Sequence, residues 1–387
     1  MDLMQKYPRI CDLKTKAEKK IPTVASSYLN SGTGLGEAKK RNEESFKKIE
    51  LVPRHLRGKI NPNLQTKFLG KTYDMPFGIA PIGLQSLIWP GSEKILAKTA
   101  LKRNIPYCLS TVANESIEKI AEIAADNAWF QLYPPDNLNV MKDLLSRAWD
   151  VGIKTLIVTV DVPTQSRREE MRIAGAPLGS RKPMAITSKI FFNCLFYPGW
   201  SLNQLLYMIS EKGKLRFKNM EKYNSDFKSK EITSYIGEQL NVSLTWEYFE
   251  KIRKQWKGNL IIKGVLSVED ALKSVSYGAN AILISNHGGR QIDSVPPSLE
   301  KLSEIRETLG NETSLILDSG IRSGLDIARS IAMGANFVLL GRGFMYGMAA
   351  LGKHGGDHVY SILKDELENT MIQLGVENLH DLKNHLK

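Results

Sequence analysis

The sequence predicts a (β/α)8 barrel, a closed parallel sheet wrapped in helices, and three observations carry that prediction. Eight short runs rich in β-branched and aromatic residues recur after residue 75, at 76–81, 106–110, 129–133, 155–161, 260–265, 281–286, 314–320 and 337–342. Such runs, bounded by turn residues, read as strands buried on both faces. Helical patterns lie between most of them, as a parallel sheet requires. Finally, Gly278-Ala279-Asn280 and Gly334-Ala335-Asn336 each lead straight into a strand, an offset of 334 minus 278, or 56, residues. The alternative, a doubly wound open sheet, lacks support because no strand-linked G-x-G-x-x-G with a downstream acid is found.

The elements follow in order. Residues 1–74 are polar and basic, with an amphipathic stretch at 21–29 and a cap or turn at Asn30-Ser31-Gly32. After the fifth strand run, Ser267-Val268-Glu269-Asp270 reads as a capping box, Ala271, Leu272 and Val275 as the apolar face, and Gly278 as the C-terminal glycine. After the seventh, Ser323-Gly324-Leu325-Asp326 opens the same pattern, with Ile327, Ala328 and Ile331 before Gly334. The rhythm breaks once, where nearly a hundred residues separate the fourth run from the fifth. A connection that long is usually a functional excursion. The chain is therefore expected to form one barrel domain over 1–387, with 169–245 as a basic, partly apolar insertion.

Within the insertion, Ile190-Phe191-Phe192-Asn193-Cys194-Leu195-Phe196-Tyr197-Pro198-Gly199-Trp200 precedes a partly apolar stretch at 202–209. Lys212, Lys214, Arg216, Lys218, Lys222, Lys228 and Lys230 follow, opposed within the insertion by Glu211, Glu221 and Asp226. Apolar groups beside lysines match an acidic membrane surface. A folded cover over the barrel, or a subunit contact with a solvated basic face, fits equally well.

Composition bounds the rest. The chain has 387 residues, a length that barrels reach as one unit. Cys11, Cys108 and Cys194 are odd in number and far apart, without disulfide or metal-ligand spacing, so a reducing compartment fits. The N-terminus shows no secretory signal and no run approaches the roughly 20 apolar residues of a membrane span. The expectation is a cytoplasmic protein, peripheral on the inner face of the cell membrane if the insertion binds there. A net charge of +12 favours anionic partners, including acidic lipid, nucleic acid or small acids. A basic lipid- or nucleic-acid-binding module without chemistry is the remote alternative. Aromatic residues interleaved with base-reading side chains are missing, so nucleic acid is not expected.

Chemistry gathers where strands end, as in this fold it should. The sixth run, Ala281-Ile282-Leu283-Ile284, is followed by Ser285-Asn286-His287-Gly288-Gly289-Arg290-Gln291-Ile292-Asp293. Paired glycines let the backbone approach a flat ligand, His287 is a base near neutral pH, and Arg290 offers a planar fork to a carboxylate. Lys263, ending an apolar strand, needs an electron-rich partner if it is buried. Asp161, ending the fourth run, can orient His287 and stabilise its imidazolium.

The nine-residue word resembles the signature of the FMN-dependent 2-hydroxy acid oxidase and dehydrogenase family, which includes glycolate oxidase, L-lactate dehydrogenase and mandelate dehydrogenase. The resemblance extends from residue 21 through the C-terminal helices. It implies a TIM barrel holding FMN, with the flavin phosphate at Asp318, Gly320, Arg322, Gly341 and Arg342, where Asp318 would meet a ribityl hydroxyl. It places Lys263 beside flavin N1 and the C2 carbonyl, Pro81, Ile82 and Gly83 beside N5, and Ser110, Gln131, Thr159 and Ser285 along the ring. Against the pattern T-V-D-x-P-x-x-G-R-R-E it assigns Asp161 to His287 and Arg168 to the substrate carboxylate, with Ser166 standing where the pattern has glycine. Tyr133 would bond the substrate hydroxyl, and Tyr28 its carboxylate alongside Arg290.

The implied reaction takes an (S)-2-hydroxy acid, lactate- or mandelate-like, to its 2-oxo acid. Gly83, in place of the alanine of many oxidases, favours a dehydrogenase passing electrons to a quinone, with molecular oxygen as the alternative acceptor. Val112, where glycolate oxidases carry tryptophan, argues against a glycolate-type pocket. Tyr197-Pro198-Gly199-Trp200-Ser201-Leu202 looks like the inserted segment of mandelate dehydrogenases. No haem-binding domain is expected ahead of the barrel, and a homotetramer is implied. A flavin barrel isomerase acting on a diphosphate is a rival that leaves the base, tyrosines and paired arginines unexplained.

Overall fold

The computed structural model describes residues 2–176, 187–211, 217–223 and 244–387. Eight parallel strands close into a barrel: β3 (Phe77–Ile79), β4 (Tyr107–Ser110), β5 (Ala128–Leu132), β6 (Thr155–Thr159), β7 (Asn259–Val265), β8 (Ala281–Ile284), β9 (Ser314–Leu317) and β10 (Phe337–Leu340). They pair in chain order, and β10 returns to β3. Each expected run coincides with one strand; most strands are shorter than the run, and β5 and β7 begin one residue before it, at Ala128 and Asn259.

Because side chains alternate along a strand, each run serves two cores. Tyr107, Leu109, Phe130, Leu132, Leu156, Val158, Leu260, Ile262, Ile282 and Ile284 face the surrounding helices and belong to the larger apolar cluster. Cys108, Trp129, Ile157, Ile261, Leu283, Ile316 and Leu339 form a separate cluster inside the barrel. A step of two residues towards the C-terminal end carries this inner row from apolar to polar: Cys108 to Ser110, Trp129 to Gln131, Ile157 to Thr159, Ile261 to Lys263, Leu283 to Ser285, Ile316 to Asp318 and Leu339 to Gly341. The floor of any site at that end is therefore set by strand periodicity.

The opposite end is closed by a hairpin that the sequence reading did not separate from its polar surroundings. β1 (Thr66–Phe68) pairs antiparallel with β2 (Lys71–Tyr73). Phe68 stacks on Phe337 at 4.9 Å, and Trp129 Nε1 donates to the Tyr73 hydroxyl at 3.1 Å. The amphipathic stretch near the N-terminus is the helix Thr23–Asn30, with Val24, Ala25, Tyr28 and Leu29 buried.

The expected apolar face after β7 needs correction. Ser267 caps the helix Val268–Ser276 as its sequence indicates, but Ala271 and Ser274 face the core. Leu272 and Val275 are 48% and 38% exposed. The helix meets the barrel on a narrow stripe whose fully buried residues are small, with Val268 packed at its edge, while Leu272 and Val275 turn outward. After β9 the helix Gly324–Ala332 buries Ile327 and Ala328, while Ile331 is half-buried.

The described parts of the insertion include the helices Ser188–Leu195 and Pro198–Ser210. Their inner side is pinned to the barrel: Trp200 Nε1 donates to the Ile88 carbonyl at 3.0 Å, and the Thr23 amide donates to Asn193 Oδ1 at 2.8 Å. Their outer side shows Phe191, Phe192, Leu195 and Phe196, then Leu202, Leu205, Leu206 and Ile209, all more than half exposed. The last four follow helical spacing and make one continuous apolar stripe. Among the described residues, no helix is long and apolar enough to cross a membrane.

The basic cluster is also corrected in part. Lys218 pairs with Glu115 at 2.8 Å and Glu211 at 2.9 Å, and Lys222 with Asp143 at 2.5 Å. Glu115 and Asp143 come from the barrel, so these lysines fasten the insertion instead of facing outward as free charge. Lys212, Lys214, Arg216, Lys228 and Lys230 lie outside the described residues.

Candidate active site

A pocket opens at the C-terminal end of the barrel, with about 1360 Å³ of empty space including its mouth. Its walls include Tyr28, Pro81, Ile82, Gly83, Gln131, Tyr133, Thr159, Lys263, Asp318, Gly320, Gly341 and all of the expected arginines, Arg168, Arg290, Arg322 and Arg342. Residues far apart in sequence meet here because each follows, or packs against, a strand end.

His287 stands at one side in a left-handed backbone conformation, φ +58°, followed by Gly288 and Gly289 at +66° and +74°. Three consecutive positive φ values turn the chain sharply off β8, and only the glycines accept this without strain. Asn286 bonds Asn42, and Asp293 accepts from the amides of Leu35 and Ala38 at 2.9 Å each. Thus the last acid of the signature word fastens the loop to the N-terminal segment.

The imidazole Nδ1 lies 2.9 Å from Asp161 Oδ1, behind the pocket wall. A carboxylate accepts, so Nδ1 carries the proton and Nε2 keeps its lone pair. Tyr133 donates its hydroxyl to Nε2 at 3.3 Å. Burial lowers the His287 pKa, Lys263 and Arg168 push the same way, and Asp161 opposes them. Burial alone would raise Asp161, but His287 and Lys263 outweigh it and hold it ionised. Tyr133 is pushed up to about 12 by burial and stays a neutral donor.

Room for Asp161 comes from a residue to which the sequence reading gave no role. Gly264 has φ +106°, and a Cβ there would stand 2.5 Å from the Asp161 Cβ. The β7–β8 register shifts between Lys263 and Val265, so a bulge sits beside the lysine. Lys263, only 6% exposed in its side chain, donates to Ser285 Oγ at 2.7 Å and faces Asp318 at 3.4 Å and Asp161 at 4.0 Å. Burial disfavours its charge, yet the two carboxylates outweigh burial and its pKa is raised.

Ser110 and Ser285 do not line the pocket; they lie one layer deeper. Ser110 Oγ donates to Gln131 Oε1 at 2.9 Å, and Gln131 Nε2 donates to Thr159 Oγ1 at 3.0 Å. Tyr28 donates its hydroxyl to the Gly83 carbonyl at 2.8 Å, with the Arg290 guanidinium 5.8 Å from its ring centre. A Cβ on Gly83 would meet Val112 Cγ2 at 2.6 Å, so this turn packs too tightly for a larger residue without adjustment.

Positive charge is concentrated in this pocket. Arg290 donates to the Leu29 carbonyl, and its pKa is well below the usual value because of burial and then the Arg342 and Arg168 charges. Arg342 donates to the carbonyls of Leu29, Gly288 and Ser31 and is lowered to about 10, chiefly by burial. Arg322 pairs with Glu43 at 2.9 Å. Arg168 is held by Ser166 and Gln291. Arg168, Arg290 and Arg342, whose described hydrogen-bond partners are carbonyls and neutral side chains, make a site prepared for anions.

Fold and site together define a barrel enzyme that binds an acidic substrate beside a phosphate-bearing cofactor. The residues present fit FMN: Arg342 has only carbonyl partners among the described residues, Gly320 and Gly341 offer backbone at two adjacent strand ends, and Lys263 supplies a buried cation in the floor. A family model described as FMN-dependent dehydrogenase matches residues 17–387. An L-lactate dehydrogenase of Xanthobacter autotrophicus is 34% identical over 372 residues, 96% of this chain and 94% of that one. One from Pseudomonas syringae pv. syringae is 34% identical over 375 residues, 96% of each. Among solved structures, a monotopic membrane protein (S)-mandelate dehydrogenase superposes with a TM-score of 0.90 at 31% identity, covering 99% of this chain and 100% of that one. A soluble mutant of the membrane-associated (S)-mandelate dehydrogenase from Pseudomonas putida gives 0.83 at 30% identity, covering 98% and 99%. The chain belongs to the FMN-dependent dehydrogenase family: it is an FMN oxidoreductase acting on the CH–OH group of 2-hydroxy acids.

Proposed function

We propose that the protein oxidises an (S)-2-hydroxy acid, lactate- or mandelate-like, to the 2-oxo acid, with a membrane quinone as the final electron acceptor. The observation that carries the reaction is the His287–Asp161 pair, with Tyr133 on the free imidazole nitrogen, facing a pocket shared by Arg168 and Arg290. Bound FMN supplies a two-electron sink.

The chain's own groups do the rest. Arg168 and Arg290 hold the substrate carboxylate with Tyr28 assisting, which fixes the Cα substituents relative to the base. Tyr133 donates to the substrate hydroxyl. His287 Nε2 takes a proton from the substrate and ends as imidazolium, beside the ionised Asp161 that steadies it. Lys263 would set a positive charge beside the bound cofactor, while Gln131 and Thr159 form the polar floor, backed from the layer below by Ser110 and Ser285. Pro81, Ile82 and Gly83 make the facing wall. Asp318, Gly320, Arg322, Gly341 and Arg342 would hold the ribityl and phosphate end.

The acceptor reading is supported by the apolar stripe of the insertion and by the monotopic membrane neighbour. Laid on a bilayer, the stripe would bury side chains worth roughly 1.5–3 kcal/mol each when fully covered. On this proposal the protein works at the inner face of the cell membrane, near quinone. Turnover with L-lactate and (S)-mandelate, supplied with either a short-chain quinone or oxygen, tests the proposal. Quinone should sustain turnover and oxygen should not; equal rates with oxygen, accompanied by hydrogen peroxide, would identify an oxidase.

A further inference from the structure

Arg168 reaches the pocket from a strained position. Its φ is +40°, left-handed for a residue with a long side chain, and it immediately precedes the helix Glu169–Ala174. An arginine side chain has many rotamers to give up on binding, so a guanidinium meant to meet one carboxylate benefits from being held beforehand. Two neutral side chains hold this one. Its Nε donates to Ser166 Oγ at 2.9 Å, and its Nη2 to Gln291 Oε1 at 3.4 Å.

Gln291 belongs to the loop that carries His287, and its other end reaches the loop that carries Asp161. Its Nε2 donates to the main-chain carbonyl of Asp161 at 3.2 Å and to that of Thr164 at 3.5 Å. The amide has one sensible orientation. Turning it over would set N–H against guanidinium N–H and oxygen against two carbonyl oxygens. Ser166, Arg168 and Gln291 all line the pocket.

The choice of neutral partners matters. An aspartate or glutamate against Arg168 would satisfy its charge and compete with a substrate acid. A hydroxyl and an amide oxygen fix the plane but leave the charge uncompensated, and among the described residues they engage two of the five N–H groups of the guanidinium. Ser166 adds a bond that glycine, the residue in the family pattern at this place, could not provide.

We propose that Ser166 and Gln291 are positioning residues that pre-set the Arg168 guanidinium for the substrate carboxylate, and that Gln291 ties this clamp to the loop holding Asp161. The inference rests on Arg168 as a carboxylate ligand. Ser166→Ala and Gln291→Met remove the two acceptors with little change in volume, and Ser166→Thr restores a hydroxyl.

The test is steady-state kinetics on the FMN-loaded enzyme, using the faster of L-lactate and (S)-mandelate, in wild-type and Arg168→Met backgrounds. Ser166→Ala and Gln291→Met should each lower kcat/KM about tenfold, mostly through KM, with FMN content unchanged. Ser166→Thr should recover most of the loss. In the Arg168→Met background both substitutions should cost less than twofold, because the group they position is gone. Equal losses in both backgrounds, or less than twofold loss in the wild type, would overturn the inference while leaving Arg168 as a ligand. If Arg168→Met alone leaves kcat/KM unchanged, the ligand reading falls and the inference falls with it.

Discussion

Replacing Asp161 with asparagine keeps the shape of the side chain and removes one negative charge 2.9 Å from His287 Nδ1. With an effective dielectric of about 20, a unit charge pair at this distance interacts by roughly 6 kcal/mol, an upper bound on the stabilisation of the imidazolium that forms when Nε2 takes a proton. The asparagine oxygen can still accept from Nδ1, so about half of that should survive as a dipolar contact. A loss of about 3–6 kcal/mol corresponds to roughly 10²–10⁴ in rate. The assay is anaerobic mixing of FMN-loaded enzyme with substrate, following loss of the flavin's visible absorbance.

The same substitution has a signed effect on pH dependence. Burial lowers the His287 pKa and Asp161 raises it, so removing Asp161 leaves burial and Lys263 less opposed. The base must be neutral to accept a proton, hence the acidic limb of the kcat/KM profile should move to lower pH while the plateau falls. A plateau rate within threefold of wild type, or a limb moving to higher pH, would refute the charge argument.

Three further predictions follow the same geometry. Lys263→Met leaves Asp161 and Asp318 facing the floor without their shared cation; FMN titration of the apoprotein should show at least about tenfold weaker binding, consistent with a lost buried charge partner. Gly264→Ala sets a Cβ against Asp161 at φ +106°; it should cost about 1–3 kcal/mol in thermal unfolding and lower kcat, and a wild-type melt with wild-type turnover would refute the packing argument. Leu205→Asp with Ile209→Asp places two charges in the exposed stripe; partition onto vesicles containing acidic lipid should fall about 100-fold or more with bound FMN retained, and unchanged partition would place the contact elsewhere.

The barrel was legible because strand signals are local. Runs such as Ala281–Ile284 are buried on both faces and carry the same pattern wherever their neighbours lie. The polar floor follows from the same alternation, since Gln131, Thr159 and Lys263 each stand two residues beyond an inward apolar side chain. What could not be read depended on distant partners. In the sequence Lys218 is one member of a basic run, and its partner Glu115, at 2.8 Å, lies more than a hundred residues away. Gly264 reads as an ordinary strand glycine, and its purpose emerges only with Asp161 against it. Gln291 stood in plain view within the signature, but an amide announces neither of its partners in advance. Leu272 and Val275 failed for the reverse reason, because a helix period identifies a face without revealing how wide a contact the barrel offers.

The most direct measurement is the visible spectrum of the purified protein under anaerobic conditions. L-lactate or (S)-mandelate should bleach the yellow oxidised flavin within one turnover and yield the matching 2-oxo acid, while the (R)-acids should leave it yellow. An oxidised spectrum that persists with every (S)-2-hydroxy acid, in a protein that has retained its FMN, would contradict the account.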